Sequence, residues 1–211
     1  MTDAHFHRSG DTFAAVNGRE FRFTGVHPWN AEGSDISAVA VRMRSALAAD
    51  PLLGVGEIGL DRLKVKTVSA AQRELFAVQL EIAAEAKRPV VLHGAKCWGE
   101  VVKAVKPYAG RIPAFLFHGF SRSDGLLQDI VDVNGFVGVG KAILNDHAVN
   151  YRQLVKKLPC DRLLVETDCD GFSEGERTDM AKAICAMVLE IASIDEERID
   201  SNAASFLETL V

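Results

Sequence analysis

Short apolar runs alternate with stretches of helical periodicity along most of this 211-residue chain. Leu52-Leu-Gly-Val-Gly-Glu57, Pro89-Val-Val-Leu-His93, Pro113-Ala-Phe-Leu-Phe-His118, Phe136-Val-Gly-Val-Gly140 and Arg162-Leu-Leu-Val-Glu-Thr-Asp168 are too short for helices. Near-continuous apolar runs of this length mark strands buried on both faces, the habit of parallel sheets. Between them lie helical patterns. Ile36, Val39, Ala40, Met43 and Leu47 make one stripe over 35–49, stopped by Pro51. Ser69 is a good N-cap for a helix over 70–87 that buries Leu75, Val78, Ile82 and Ala86. Further helices are predicted over 98–105, over 125–133 with Ser123 or Asp124 as cap, over 149–157, over 179–192 and from about Asp195. Strand–helix alternation of this kind indicates an α/β fold with helices covering a parallel sheet. No G-x-G-x-x-G turn joins a first strand to a helix, so a dinucleotide-binding fold has no support.

The N-terminal segment departs from the pattern. Asp3–His7 and Glu20–Val26 read as strands, with a weaker one over Thr12–Val16 and a tight-turn pair at Asn17-Gly18. These are a hairpin or two short barrel strands. Too few residues separate His7 from Phe23 for a strand, a full helix and a return strand. A TIM-type (β/α) barrel therefore fits best, as one domain over 1–211, distorted, with seven to eight strands and the first crossover helix missing.

Composition bounds the setting. Net charge is −5, which argues against a surface built to coat nucleic acid but leaves room for a locally positive cleft. The four cysteines (Cys97, Cys160, Cys169, Cys185) form no C-x-x-C pair and read as reduced. No apolar run approaches a membrane span, and the polar N-terminus is not a secretory signal. The expectation is a cytoplasmic protein with no membrane contact and no obligate protein partner.

The chemistry is concentrated at strand ends. His5 and His7 alternate on a strand, so their imidazoles project together, roughly 6–7 Å apart along the chain. Glu57, His93, His118 and Asp168 each follow an apolar run. All six fall at the C-terminal face, where barrel active sites are built. Unpaired, such groups are costly to bury, and a metal site resolves that cost. Four imidazoles and two carboxylates without a thiolate suit divalent Zn, Mn, Fe, Ni or Mg. Six ligands exceed what one tetrahedral ion needs; two ions bridged by a carboxylate use them better.

Asp3-x-His5-x-His7, Gly25-Val-His27-Pro-Trp29, Gly56-Glu57-Ile-Gly-Leu-Asp61, Leu92-His93, Phe117-His118-Gly-Phe120 and Glu166-Thr-Asp168 come in the order and context of the TatD-like metal-dependent hydrolases. These are TIM-barrel relatives of the amidohydrolase superfamily, and the chain resembles them over nearly its whole length. The resemblance implies two divalent ions, one held by His5, His7 and Asp168, the other by His93 and His118, with Glu57 bridging. It also implies metal-dependent DNase activity on DNA or a small phosphodiester. The chain departs from the family in being short after His7, in Cys169-Asp170-Gly171 after the Glu-Thr-Asp motif, and in placing its nearest base after His93 at Lys96.

In that scheme Asp168 and Glu57 are the catalytic carboxylates, with Asp168 accepting the proton of an attacking water. His27, Lys96 and Arg122 are candidate substrate contacts, and Asp61 a candidate support for a ligand. Arg8, Arg62, Lys64, Lys66 and Lys141 also fall in loops after strands. Trp29 or Trp98 can stack a base or pack the rim; His147 and Cys169 read as a surface residue and a small buried one. An amide or lactone hydrolase, a deaminase or a metal-binding scaffold without turnover are the competing readings. Because the expected helix is absent after His7, the position held by His5 and His7 is expected to bind metal more weakly than the other.

Overall fold

The computed structural model describes residues 1–64, 66–121 and 124–210. They form one eight-stranded sheet in which spatial and chain order coincide: β1 (Asp3–Arg8), β2 (Asp11–Val16), β3 (Arg19–Thr24), β4 (Gly54–Asp61), β5 (Val90–Ala95), β6 (Phe115–Phe117), β7 (Gly135–Val139) and β8 (Leu163–Val165). From β3 to β8 each neighbouring pair is parallel, in registers such as Phe23↔Gly54 and Val90↔Phe115. The seam between β8 and β1 is closed by two backbone bonds: the Asp168 N–H donates to the His5 carbonyl (3.0 Å) and the His7 N–H to that of Cys169 (2.8 Å). The sheet is thus a barrel of the TIM type.

The missing crossover is replaced by a meander. β1, β2 and β3 pair antiparallel, with Arg8↔Asp11 and Val16↔Arg19 closing the two turns. Each turn holds two residues at positive φ, Ser9-Gly10 (54° and 83°) and Asn17-Gly18 (51° and 76°), the primed geometry that matches strand twist. The hairpin's outer face, where a helix would lie, is covered by side chains instead. Phe6 and Phe13 stack at 5.6 Å, and the guanidinium groups of Arg8 and Arg177 lie over their rings.

The helices follow the sequence periodicity: α1 (Ile36–Ala49), α2 (Ala70–Ala86), α3 (Trp98–Val105), α4 (Leu127–Asp132), α5 (Val149–Lys157), α6 (Glu174–Ala192) and α7 (Glu196–Phe206). Asp35 and Ser69 cap α1 and α2 by accepting from the N–H groups of Ala38 and Gln72. α6 begins five residues earlier than expected, on a reciprocal capping box between Ser173 and Glu176. α4 is shorter than expected and its N-cap, Leu126, makes no side-chain cap; Asp124 pairs with Lys157 (2.6 Å), and Ser123 lies outside the described residues.

One apolar cluster fills the space between sheet and helices. A second, of Val16, Phe21, Val91, Leu116, Phe136 and Leu164 with Phe206, Leu207 and Leu210, plugs the barrel's lower end. Phe206 of α7 meets Phe23 and Phe136 at 6.2 and 6.0 Å. The opposite end, at the C-termini of the parallel strands, is left for polar side chains. No helix among the described residues is long and apolar enough to cross a membrane.

Candidate metal centre

Two β-bulges aim the central groups. Between Asp3 and Phe6, β1 spans three steps against two on β2; between Val55 and Ile58, β4 does the same against β5. One bulge holds His5 and the other Glu57. Bulges of this kind bend a strand and re-aim a side chain, and they recur beside active sites. His7 follows His5 on the same face. His93 sits within β5, His118 follows β6 at once, and Asp168 lies three residues beyond β8 at φ 49°, a left-handed conformation that aspartate tolerates better than most residues.

Glu57 is the hub, its side chain 5% exposed. Its Oε2 lies 3.5 Å from Nε2 of both His5 and His7. Asp168 Oδ1 closes the figure at 3.6 Å from His5 Nε2 and 3.5 Å from His7 Nε2. For ligand bonds of about 2.1 Å a tetrahedral site has edges of about 3.4 Å. The four separations match the edges of such a site, and His5, His7 and Glu57 form one group able to hold a metal ion. A second observation agrees: both ring nitrogens of His5 are buried without a hydrogen-bond partner, a costly state that a ligated cation would relieve.

The other oxygen of Glu57 faces a different set. Oε1 lies 2.6 Å from His93 Nδ1, 2.8 Å from His118 Nε2 and 3.6 Å from His27 Nε2. The first two separations are hydrogen-bond lengths, too short for ligands sharing an ion, so this side is drawn together. Each of its two principal histidines is backed by a carboxylate on its far nitrogen. Asp61 Oδ2 lies 2.8 Å from His93 Nε2, and Glu166 Oε1 lies 3.7 Å from His118 Nδ1. At hydrogen-bond distance Asp61 is placed to fix the orientation of His93 and raise its basicity, whereas Glu166 is an ion-pair neighbour of His118 Nδ1 without a hydrogen bond to it. Asp61 is itself held by the N–H groups of Leu63 and Lys64 and by the Trp29 indole. Glu166 accepts from the Gly119 N–H (2.6 Å), and a Cβ at Gly138 would run into the Glu166 carboxylate and force it to shift.

Charge is strongly coupled. Burial pushes Glu57 up, but the imidazoles around it, His118 foremost, hold it well below the usual carboxylate range. Burial likewise opposes Asp168, which His5 and His7 keep lowered. Hydrogen bonding to Asp168 and Glu57 lifts His7 to about 9. His27 goes the other way: burial outweighs Glu57 and keeps it below the ordinary imidazole range, hence neutral, the ligating form.

A cavity of about 700 Å³ opens above the cluster, lined by His7, His27, Trp29, Glu57, His93, His118 and Asp168 among others. The structure thus brings His5, His7, Glu57, His93, His118 and Asp168 together. It also places His27, expected as a substrate contact, within reach of Glu57 and His93 as a further possible ligand. Lys96 is exposed and lies outside the residues lining the cavity, and Arg122 falls outside the described residues. Arg8 is committed to Glu20 and Arg62 to Glu100 and the Lys96 carbonyl, so neither is free for a substrate.

Three residues entered without a role in the sequence. Asp3 accepts from the Thr167 N–H and hydroxyl (both 2.9 Å) and from Arg177 (3.2 Å), tying β1 to the β8 loop under the site. Gln79 of α2 clasps the Val26 backbone at both its N–H and its carbonyl and sets the loop that carries His27. Arg177 of α6 pairs with Asp3 from 174 residues away. These residues supply the scaffold that the missing helix is expected to leave out behind His5 and His7. The hairpin, the seam bonds and the Asp3–Arg177 pair give that position a complete scaffold, and its ligand atoms are the ones already at coordinating separations.

The model of the TatD related DNase family matches residues 2–210. Among curated relatives, the chain is 32% identical over 146 residues to the 3′-5′ ssDNA/RNA exonuclease TatD of Klebsiella pneumoniae, an alignment covering 68% of this chain and 55% of that one. It is 26% identical over 160 residues to the uncharacterized metal-dependent hydrolase YabD of Bacillus subtilis, covering 73% and 63%. The chain thus spans little more than half the length of the relatives it matches. Among solved structures it superposes on the TatD homolog YjjV of Escherichia coli with a TM-score of 0.73 and 27% identity, over 90% of this chain and 76% of that one. A TatD family hydrolase of Entamoeba histolytica shares the fold at a TM-score of 0.66 and 16% identity, over 88% and 71%. The chain belongs to the TatD related DNase family.

Proposed function

We propose that this protein is a metal-dependent phosphodiesterase acting on single-stranded nucleic acid or a small phosphodiester, with two divalent cations in one centre. The observation that carries the reading is the division of Glu57: one oxygen faces His5 and His7, the other His93 and His118. His5, His7, Asp168 and Glu57 Oε2 would hold one cation; His93, His118 and Glu57 Oε1 the other, with His27 beside them. Bound there, such cations lower the pKa of water toward neutrality and neutralise charge on phosphoryl oxygens.

The chain's own groups supply the rest. Asp168 is 45% exposed, whereas Glu57, Asp61 and Glu166 are 5% or less, so Asp168 is the carboxylate that attacking water reaches. Kept ionised by His5 and His7, it accepts that water's proton. Glu57 stays fixed between the two sets, and Asp61 holds His93 in orientation. The described residues pack as one domain, and the four free thiols suit a reducing, cytosolic setting.

The test is hydrolysis of an end-labelled single-stranded oligonucleotide by chelator-stripped protein before and after reconstitution with Zn, Mn or Mg. Activity that needs the metal and is lost in Asp168→Asn supports the reading. Activity unaffected by stripping or by Asp168→Asn contradicts it, and turnover confined to amides or lactones moves the protein to another hydrolase class.

A further inference from the structure

Trp29 is 53% exposed on the rim of the cavity, yet nothing about it is loose. Its indole N–H donates to Asp61 Oδ2 (2.8 Å), and Asp61 is fully buried. Its backbone N–H donates to His27 Nδ1 (3.2 Å), which caps the 3-10 turn Pro28–Gly33 carrying it. Its ring centre lies 4.6 Å from that of His27 and 6.3 Å from that of His93. A large apolar surface is therefore held out to solvent beside the candidate metal centre, by the same carboxylate that orients His93. The ammonium group of Lys64 rests 4.5 Å from the ring centre, on an exposed and flexible stem. The other tryptophan differs in every respect: Trp98 is buried against Phe117 and Phe120.

We infer that Trp29 and Lys64 form a nucleobase subsite, on which the base of the nucleotide beside the scissile phosphate stacks while the Lys64 ammonium moves to the backbone phosphate. This deepens the proposed phosphodiesterase reading and rests on it. A rigid indole loses little freedom when a base stacks on it, and stacking is tolerant of sequence because every base has a π face. Cation–π contact with Lys64 shows that the ring is already open to a charged or π-rich partner. The subsite selects nucleotides over bare sugar phosphates without selecting one base.

Two measurements test this on the metal-loaded protein. In calorimetry, dAMP binds more tightly than deoxyribose 5-phosphate, by about 5- to 100-fold for one stacked base. That ratio holds within a few-fold in Trp29→Phe and falls to about one in Trp29→Ala. In cleavage, the kcat/KM ratio between a ten-residue thymidine oligonucleotide and an abasic backbone of equal length collapses in Trp29→Ala in the same way. Both ratios unchanged in Trp29→Ala, or equal losses on the based and baseless ligands, overturn the subsite. If wild-type protein cleaves neither oligonucleotide, the phosphodiesterase reading fails while the calorimetric ratio still decides the subsite.

Discussion

The two sides of Glu57 are unequal, and that inequality predicts the order of metal loading. The atoms facing His5 and His7 stand 3.5–3.6 Å apart and can accept a cation with little movement. On the other side, a cation must first open the contacts of Glu57 Oε1 with His93 Nδ1 (2.6 Å) and His118 Nε2 (2.8 Å). A hydrogen bond to a charged group is worth about 1.5–3 kcal/mol net, so opening two costs roughly 3–6 kcal/mol. At about 1.4 kcal/mol per tenfold, the second cation binds roughly two to four orders of magnitude more weakly. The assay is a titration of chelator-stripped protein with zinc against a chromophoric chelator. His7→Ala removes one of four ligands from the tight position. If a four-ligand zinc site is worth about 10–16 kcal/mol, one ligand carries roughly 2.5–4 kcal/mol, or about two to three orders of magnitude in the tight phase. His118→Ala should erase the weak phase and spare most of the tight one. Equal affinities, or a tight phase destroyed by His118→Ala and spared by His7→Ala, would refute this ordering.

Other outcomes follow from the same geometry. Asp61→Asn should weaken the second position by about 10- to 100-fold with little effect on the first, measured in the same titration. Protons compete for the tight position: hydrogen bonding to Asp168 and Glu57 lifts His7 to about 9, so affinity should rise as pH increases and level off above about 9, with proton release on binding visible as a buffer-dependent heat in calorimetry. An affinity flat from pH 6 to 9 would contradict that sign. Asp3→Ala leaves the buried Arg177 guanidinium with only its longer pairing to Glu20 (3.8 Å) and the Thr167 N–H without its partner, a loss of up to about 3–5 kcal/mol. For a chain of this size that lowers the thermal midpoint by roughly 6–20 °C, read by calorimetric melting.

Much of this architecture is legible in local sequence. Val149–Lys157 and Trp98–Val105 form helices at the expected residues, and the strand runs ending near Glu57, His93, His118 and Asp168 all lie in the sheet. His93, His118 and Asp168 converge because parallel strands present one face to the barrel mouth, whereas His5 and Glu57 sit inside β1 and β4 and are aimed there by bulges that leave no mark in the sequence pattern. The Asn17-Gly18 turn is equally plain, but its twin Ser9-Gly10 is not, since serine rarely signals positive φ. The first turn of α6 is hidden because Glu174, Gly175 and Glu176 carry no apolar periodicity; only the Ser173–Glu176 box marks it. The scaffold behind the His5–His7 position is hidden for a different reason. Its support comes from Arg177, Thr167 and the ring pair of Phe6 and Phe13, contacts that join distant parts of the chain and leave no trace in any local window. Asp61 is readable as a support for a ligand, but which ligand it serves, and the place of Glu166 beside His118, depend on which nitrogen each imidazole turns inward.

The central claim is that one carboxylate, Glu57, divides two cation positions. Anomalous diffraction from crystals grown with zinc or manganese tests it directly. The account predicts two peaks, one among His5, His7 and Asp168 and one beside His93 and His118, with the Glu57 carboxylate between them. A single peak, or peaks that leave Glu57 bound to neither, would contradict it.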